Sequence, residues 1–419
     1  MMIQAFYTGL SGVKNNSLGI DAVSDNLANI NSVGYRGYEI EFSSLFEKSV
    51  ASANRGSSVN SSIGIGSQAY SSPTGQQNGT LLLTDRSTDI AIDGDGWFGI
   101  QGVNGTQYTR AGNFTFDINN DLVTPDGYYV LGTMGNNIQG NTLTSVFDSL
   151  PLGDLNTQAK LQFPDTLTVP PQPTTMSSFY GNLGISDATR VISSAVVDGA
   201  NNRNALELQF TKSINQNVLG TRWDVAATTK SLDGNTTYDM QNGVVEFDER
   251  GAIVSNTLTS IGNNGTQIAI NLGSEFDGII STDVPFTSGS SASNGSIGGD
   301  LVGYSISQNA EVIATFSNGM QSSVGKVALY HFQNDQGLER ISGSRFQEST
   351  NSGRAMFYQD ANGQNILGAN VIPFTLENSN YSTATGLTEL IILQRSYDAN
   401  AKSITTADQM MQKALSMDA

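Results

Sequence analysis

Residues 6–27, FYTGLSGVKNNSLGIDAVSDNL, place Phe6, Leu10, Val13, Ile20 and Leu27 on alternating steps of three and four, with Ser17 and Ser24 in the gaps. Residues 387–415, LTELIILQRSYDANAKSITTADQMMQKAL, do the same with Leu390, Leu393, Tyr397, Ile404, Ala407, Met411 and Ala414. This spacing keeps one apolar stripe along a helix, as in a coiled-coil seam. It predicts two helices at opposite ends of the chain that use their stripes on each other, on neighbouring copies, or on both. Gly9, Gly12 and Gly19 lie within the first helix, each costing about 1 kcal/mol relative to Ala. That helix is therefore expected to be conditional: frayed and unpaired in the monomer, ordered when packed. Intersubunit packing is the preferred use of the stripes over ordinary core-facing. Asn26, Asn29 and Asn31 crowd the end of the first helix, and Gly34 supplies a left-handed stop.

Between these ends the period changes to two. Ile90-Ala91-Ile92 is followed by the turn Asp93-Gly94-Asp95-Gly96 and by Trp97 to Ile100. Asn104-Gly105, Phe114 to Phe116 and Pro125-Asp126-Gly127 continue a succession of hairpins. Further strands are expected around Leu206 to Phe210, Ile268 to Ile270, Val312 to Phe316 and Val327 to Tyr330, and Asp248 to Gly251 forms a turn. Val169 to Pro173 and residues 287–299, TSGSSASNGSIGG, bracket a middle section. The expected fold is mainly β with two terminal α-helices: nested, discontinuous β domains enclosed by a coiled-coil-forming helix pair, with both chain ends together. Residues 1–30 and 380–419 form the helical domain, and the Ser/Asn/Gly-rich residues 31–77 an extended connector. Residues 78–162 and 300–379 form a discontinuous β domain, and 163–299 an inserted outer β domain. A chain of 419 residues exceeds what one core usually holds, which agrees with this division.

Composition excludes several function classes. Lys plus Arg is 20 against 38 Asp plus Glu, a net charge of −18, which disfavours nucleic-acid backbones and anionic membranes. Cysteine is absent and His331 is the only histidine, so disulfides, thiolate metal sites, most zinc sites and Cys–His nucleophiles are removed. No apolar run approaches the ~18 residues of a membrane span. The N-terminus has no basic n-region or continuous apolar h-region, so no cleavable signal peptide is expected. Asp93 to Gly96 fails as a calcium loop because Trp97 and Asn104 occupy ligand positions. Asp117 to Asp121 fails because Leu122 and Tyr128 follow it at the wrong places. Both read as hairpin turns. Gly64-Ile65-Gly66 lacks the third glycine of a dinucleotide fingerprint, and no P-loop is present. His331 reads as a strand-end or loop residue. No carboxylate pair stands out, so no enzyme activity, catalytic residue, metal site or cofactor is expected.

Five blocks carry a resemblance. Asn26 to Arg36 (NLANINSVGYR), Thr88 to Phe98 (TDIAIDGDGWF), Tyr108 to Phe114 (YTRAGNF), Leu122 to Tyr128 (LVTPDGY) and Gln394 to Lys402 (QRSYDANAK) occur in the order seen in the flagellar rod and hook protein family, which the chain resembles. Asn26, Asn29, Gly34, Tyr35, Gln394, Arg395 and Asn400 are its signature positions here. Thr315 to Met320, Gly325 to Leu329 and Asn334 to Leu338 resemble the second outer segment of the hook-type members. Trp97 stands where the family often has Phe, and Tyr358 to Val371 is hard to align. With its large insert, the chain is expected to be a hook-type protomer of a curved, hollow, flexible tube that carries torque from motor to filament. The helices would line the channel, the flanking β domain form the wall, and the insert lie outside. The assembly interface would then include Phe6, Leu10, Val13, Ile20 and Leu27 of the first helix, and Leu390, Leu393, Tyr397, Ile404 and Met411 of the second. The resemblance implies self-association, contacts with distal-rod, cap and hook–filament junction proteins, and export through the flagellar type III apparatus to the cell exterior. A distal-rod protein with an insertion is the nearest alternative, and a secreted β-rich adhesin or glycan-acting protein a remote one.

Overall fold

The computed structural model describes residues 2–47, 63–71, 77–103, 105–284, 289–342 and 344–417. Residues 48–62 and 72–76 of the expected connector, Asn104 of the Asn-Gly turn, and Thr287 and Ser288 lie outside the described residues. Helix α1 spans Met2–Ala28 and helix α2 Thr383–Met417; the other named elements are strands and three short 3-10 turns. α1 stops where the asparagines cluster, and Gly34 has φ 64°. A Cβ on Gly34 would meet the Ala111 backbone nitrogen at 2.3 Å, so the site requires glycine for space as well as for conformation.

Two separate cores lie between the helices. The first combines residues from both sides of the insert: Ile90, Phe98, Phe114 and Val130 pack with Val312, Phe316, Val327 and Leu329. Its sheet interleaves the two segments, since Tyr129–Met134 pairs with Trp97–Gly102 and also with Gln321–Val327. The second core belongs to the insert. A five-stranded antiparallel meander, Arg190–Val197, Arg203–Lys212, Arg222–Ser231, Thr237–Phe247 and Ile253–Asn256, packs on a sheet centred on Met176–Asn182. Strict alternation sends Leu206, Leu208 and Phe210 inward, where they meet Trp223. The two chain crossings of the insert pair with each other, Gln172 and Ser296 exchanging backbone hydrogen bonds of 2.9 Å. Phe163, Leu167 and Val169, expected in the insert, instead belong to the first core, because their apolar side chains precede the proline-rich crossing.

The expected extended connector contains a hairpin. Ile40–Glu47 pairs antiparallel with Ile63–Ser71 and lies along α1. Asn15 holds it there, its Nδ2 donating to the Ser67 carbonyl at 2.7 Å and to Ser67 Oγ at 2.8 Å. The pairing partners are mostly serine, glycine and isolated aromatics, a composition with little period-two contrast to signal a strand.

Asp117, Asp198, Asp248 and Asp360 build the same turn. In each, one carboxylate oxygen accepts the backbone N–H groups two and four residues on, at 2.8 to 2.9 Å. The residue three positions on has positive φ: Asn120, Asn201, Gly251 and Gly363. The Asp117 carboxylate is thus engaged by Asn119 and Asp121 as a turn acceptor, as the hairpin reading requires. Asp198 is the most enclosed of the four. Burial raises its pKa, but donors from Asn264, Asn202 and Ala200 outweigh that effect and hold it at about 2.

A folded-state pKa below the ordinary 3.8 means that the contribution of Asp198 is complete above about pH 4 and is lost as pH falls towards 2. In a Trp97→Phe background, Trp223 emission reports the insert core alone. Denaturant melts followed this way should lose stability between pH 4 and 2, and Asp198→Asn should flatten that slope while lowering stability at pH 7.

Candidate functional site

The helices pair within a single chain, which corrects the expectation of an unpaired first helix. A Cβ on Gly9 would meet Ile404 at 2.9 Å, one on Gly12 the Asn400 side chain at 2.6 Å, and one on Gly19 Leu393 at 2.9 Å; on Gly386 it would meet Leu27 at 2.9 Å. Position numbers fall on α2 as they rise on α1, so the pair is antiparallel. The glycines counted as a helix penalty are the groove that receives Leu393, Asn400 and Ile404. Their intrinsic cost stands, but close packing against the backbone offsets it.

This groove shifts the seam on α1 by one residue. Gly9, Asn15, Gly19, Ala22, Val23 and Asn26 are buried. The expected stripe lies beside them: Phe6, Val13, Ile20 and Leu27 are half-buried and Leu10 is exposed. On α2, Leu390, Leu393, Ile404 and Met411 are half-buried, and Tyr397 is exposed while Ser396 turns inward. Leu393, Ile404 and Leu27 are therefore brought to the intrachain seam, and Leu10 and Tyr397 are not. Exposed Tyr7, Leu10 and Leu18 on α1, with Leu387, Ile391, Ile392, Met410 and Leu415 on α2, leave both helices with uncovered apolar surface.

The signature positions divide by role. Asn26 donates to the Tyr38 carbonyl at 2.7 Å, and its Oδ1 accepts from the Tyr35 hydroxyl at 3.0 Å and the Tyr38 N–H at 3.2 Å. Asn29 Nδ2 donates to the Asp25 carbonyl at 3.0 Å. Arg340 lies over the rings of Tyr35, Tyr38 and Phe346 at 5.0 to 5.1 Å. Burial raises the Tyr35 pKa, so its hydroxyl stays a donor. Asn400 donates to the Ser396 carbonyl at 2.9 Å while lying on Gly12. Gln394 and Arg395 are exposed.

Beneath this turn, an ionic latch that the sequence reading missed ties the helices to the first core. Glu377 lies between two guanidiniums, at 2.8 Å from Arg36 and 3.6 Å from Arg110, and all three side chains are at most 4% exposed. Asn78 Oδ1 accepts from Arg36 at 2.9 Å and from Arg110 at 3.1 Å, and the Gly94 carbonyl accepts from Arg110 at 2.6 Å. Burial and the charge of Arg36 pull Arg110 down to about 10, against the pull of Glu377. The available signal was two arginines in glycine-containing blocks, Arg36 and Arg110, far in sequence from the acid that they share. His331 does end a strand as read, but it is buried; its Nε2 faces the Leu367 carbonyl at 2.6 Å, and burial lowers its pKa.

Three family models match: "Flagella basal body rod protein" over residues 6–36, "Flagellar hook protein FlgE/F/G D1 domain" over 91–177, and "Flagellar basal body rod FlgEFG protein C-terminal" over 374–417. The flagellar hook protein of Brucella suis is 30% identical, covering 96% of each chain. That of Borreliella burgdorferi is 27% identical over 98% of this chain and 99% of its own, and that of Escherichia coli 26% over 97% and 98%. The fold matches a crystal structure of Helicobacter pylori flagellar hook protein FlgE2 with TM-score 0.54 at 16% identity, covering 71% of this chain and all of the other.

Two substitutions probe the geometry. Gly19→Leu should force α2 away at about 1–3 kcal/mol, read as lost ellipticity at 222 nm with the β signal intact. Glu377→Gln leaves two guanidiniums buried without their anion and should cost about 3–5 kcal/mol in chemical denaturation. An unchanged melt for Glu377→Gln would contradict the latch.

Proposed function

Since this chain belongs to the flagellar hook protein family, we propose that the uncovered apolar faces of its paired helices are the surfaces on which copies assemble. The chain is a structural protomer of the hook, a part of the flagellum outside the cell, and polymerises with itself. The observation that carries the proposal is the exposure of Leu10, Leu387, Ile391 and Ile392 on a helix pair whose own seam is already filled. Burying such surface contributes about 25 cal/mol per Å². Contacts between two different faces of identical copies build an open helical assembly where the rotation between copies does not close a ring, as a tube requires.

In this reading the helices face the channel, the first core forms the wall and the insert lies outermost. Assembly residues are Phe6, Leu10, Val13, Ile20 and Leu27 with Leu390, Leu393, Tyr397, Ile404 and Met411, of which Leu27, Leu393 and Ile404 serve mainly the intrachain seam. Further proposed partners are the distal rod, the hook cap, the junction proteins and the type III export apparatus. The role is structural, with no catalytic step. Polar insert surfaces, hydrated where they meet, suit the sliding that bending demands.

Electron microscopy of the purified chain should show curved tubes. The double variant Ile391→Asp and Ile392→Asp should keep its helicity and stay monomeric by analytical ultracentrifugation. Tubes formed as readily as by the unmodified chain would overturn the helix-face assignment, and deletion of residues 1–29 should abolish polymerisation outright.

A further inference from the structure

A second apolar surface lies on neither helix. Leu81–Leu83 pairs with Thr375–Glu377 as a two-stranded ribbon. Alternation sends Leu81 and Leu83 to one face and Leu82 to the other. Leu81, Leu83 and Leu82 are 42%, 79% and 53% exposed respectively, whereas Thr375 and Glu377 of the paired strand are buried, so the leucine strand is the exposed edge of the ribbon. Neither strand has another partner in its sheet among the described residues, and no charged side chain lies on Leu81–Leu83 to protect its free edge.

Phe374, which leads into the second strand, has φ 54° and is 41% exposed. A left-handed backbone is strained for an aromatic residue and persists only where its surroundings hold it. The holding is visible. Thr84 N–H donates to the Phe374 carbonyl at 2.7 Å, Gly79 N–H to Glu377 Oε1 at 2.8 Å, and Gly34 N–H to the Glu377 carbonyl at 2.7 Å. These bonds anchor the backbone of the ribbon's second strand beside the latch.

We propose that this leucine ribbon is buried against a second copy of the chain during assembly, an inference that rests on the assembly reading above. An open strand edge encloses no volume for a small ligand. The net charge of −18 opposes anionic membranes and nucleic acid. A second copy is a partner the family membership supplies, and the ribbon adjoins the root of the helix pair, the Gly34 N–H after α1 donating to the Glu377 carbonyl before α2. The free edge of Leu81–Leu83 offers backbone groups for an added strand as well as side chains for apolar contact.

The chain lacks cysteine, so Leu82→Cys introduces a single thiol. Its maleimide labelling rate, compared between monomer and sedimented tubes, should fall about fivefold or more on assembly. A smaller fall, or a thiol already protected in the monomer, overturns the inference. Leu82→Ser, with an unchanged monomer melt, should raise the concentration needed for tubes at least about tenfold, and an unchanged threshold counts equally against the ribbon. Failure of the unmodified chain to form tubes would instead overturn the assembly reading itself.

Discussion

Leu393, Asn400 and Ile404 reach the backbone of α1 because positions 9, 12 and 19 have no Cβ. Side chains there would push the helices apart, and the larger residues would then have to meet one another across the gap. With glycines in the seam, one chain satisfies its own pairing with small residues on one side and larger ones on the other. The bulky stripe of α1 is left at the flank, half-covered. A helix face that looks like an internal seam by periodicity thus becomes surface, and its remaining apolar area is available to other molecules.

The second constraint is electrostatic. Arg36 follows α1, Arg110 belongs to the first core, and Glu377 lies shortly before α2, so one carboxylate ties three parts of the chain together. Removing three charges from water is costly, and the arrangement tolerates it because Asn78, Gln77 and the Gly94 carbonyl accept from the guanidiniums. Tyr35, Asn26 and Arg340 complete the same junction from the helix side. The helix pair is therefore attached through a charged, hydrogen-bonded joint, whose geometry is more directional than an apolar contact would be.

Much of this was legible in residue order. Ile90 to Ile100 announced strands through alternation and Asp-Gly turns, and Gly34 announced the end of α1. The Asp117 loop declared itself a turn because the residues around it could not complete a cation shell. The seam was not legible, because hydrophobic periodicity counts a glycine as a loss and cannot see that α2 carries a complementary bulk. Nor was Glu377 legible as the partner of Arg36, since nothing local relates residues at opposite ends of a chain. The hairpin after α1 was hidden by its serines and glycines, which show little inside-to-outside contrast.

The antiparallel pairing of the first and last helices also sets an order of events. Contacts between Gly9 and Ile404 close a loop that includes almost the whole chain, the least favourable closure available to it. The meander of the insert and the local hairpins close much shorter loops and condense sooner. Before α2 is present, α1 has only the hairpin that Asn15 holds along it, and its glycines make it a poor helix in the interval. The seam is therefore completed only when α1 and α2 are both present. A copy that stops before α2 leaves the glycine groove of α1 without Leu393, Asn400 and Ile404.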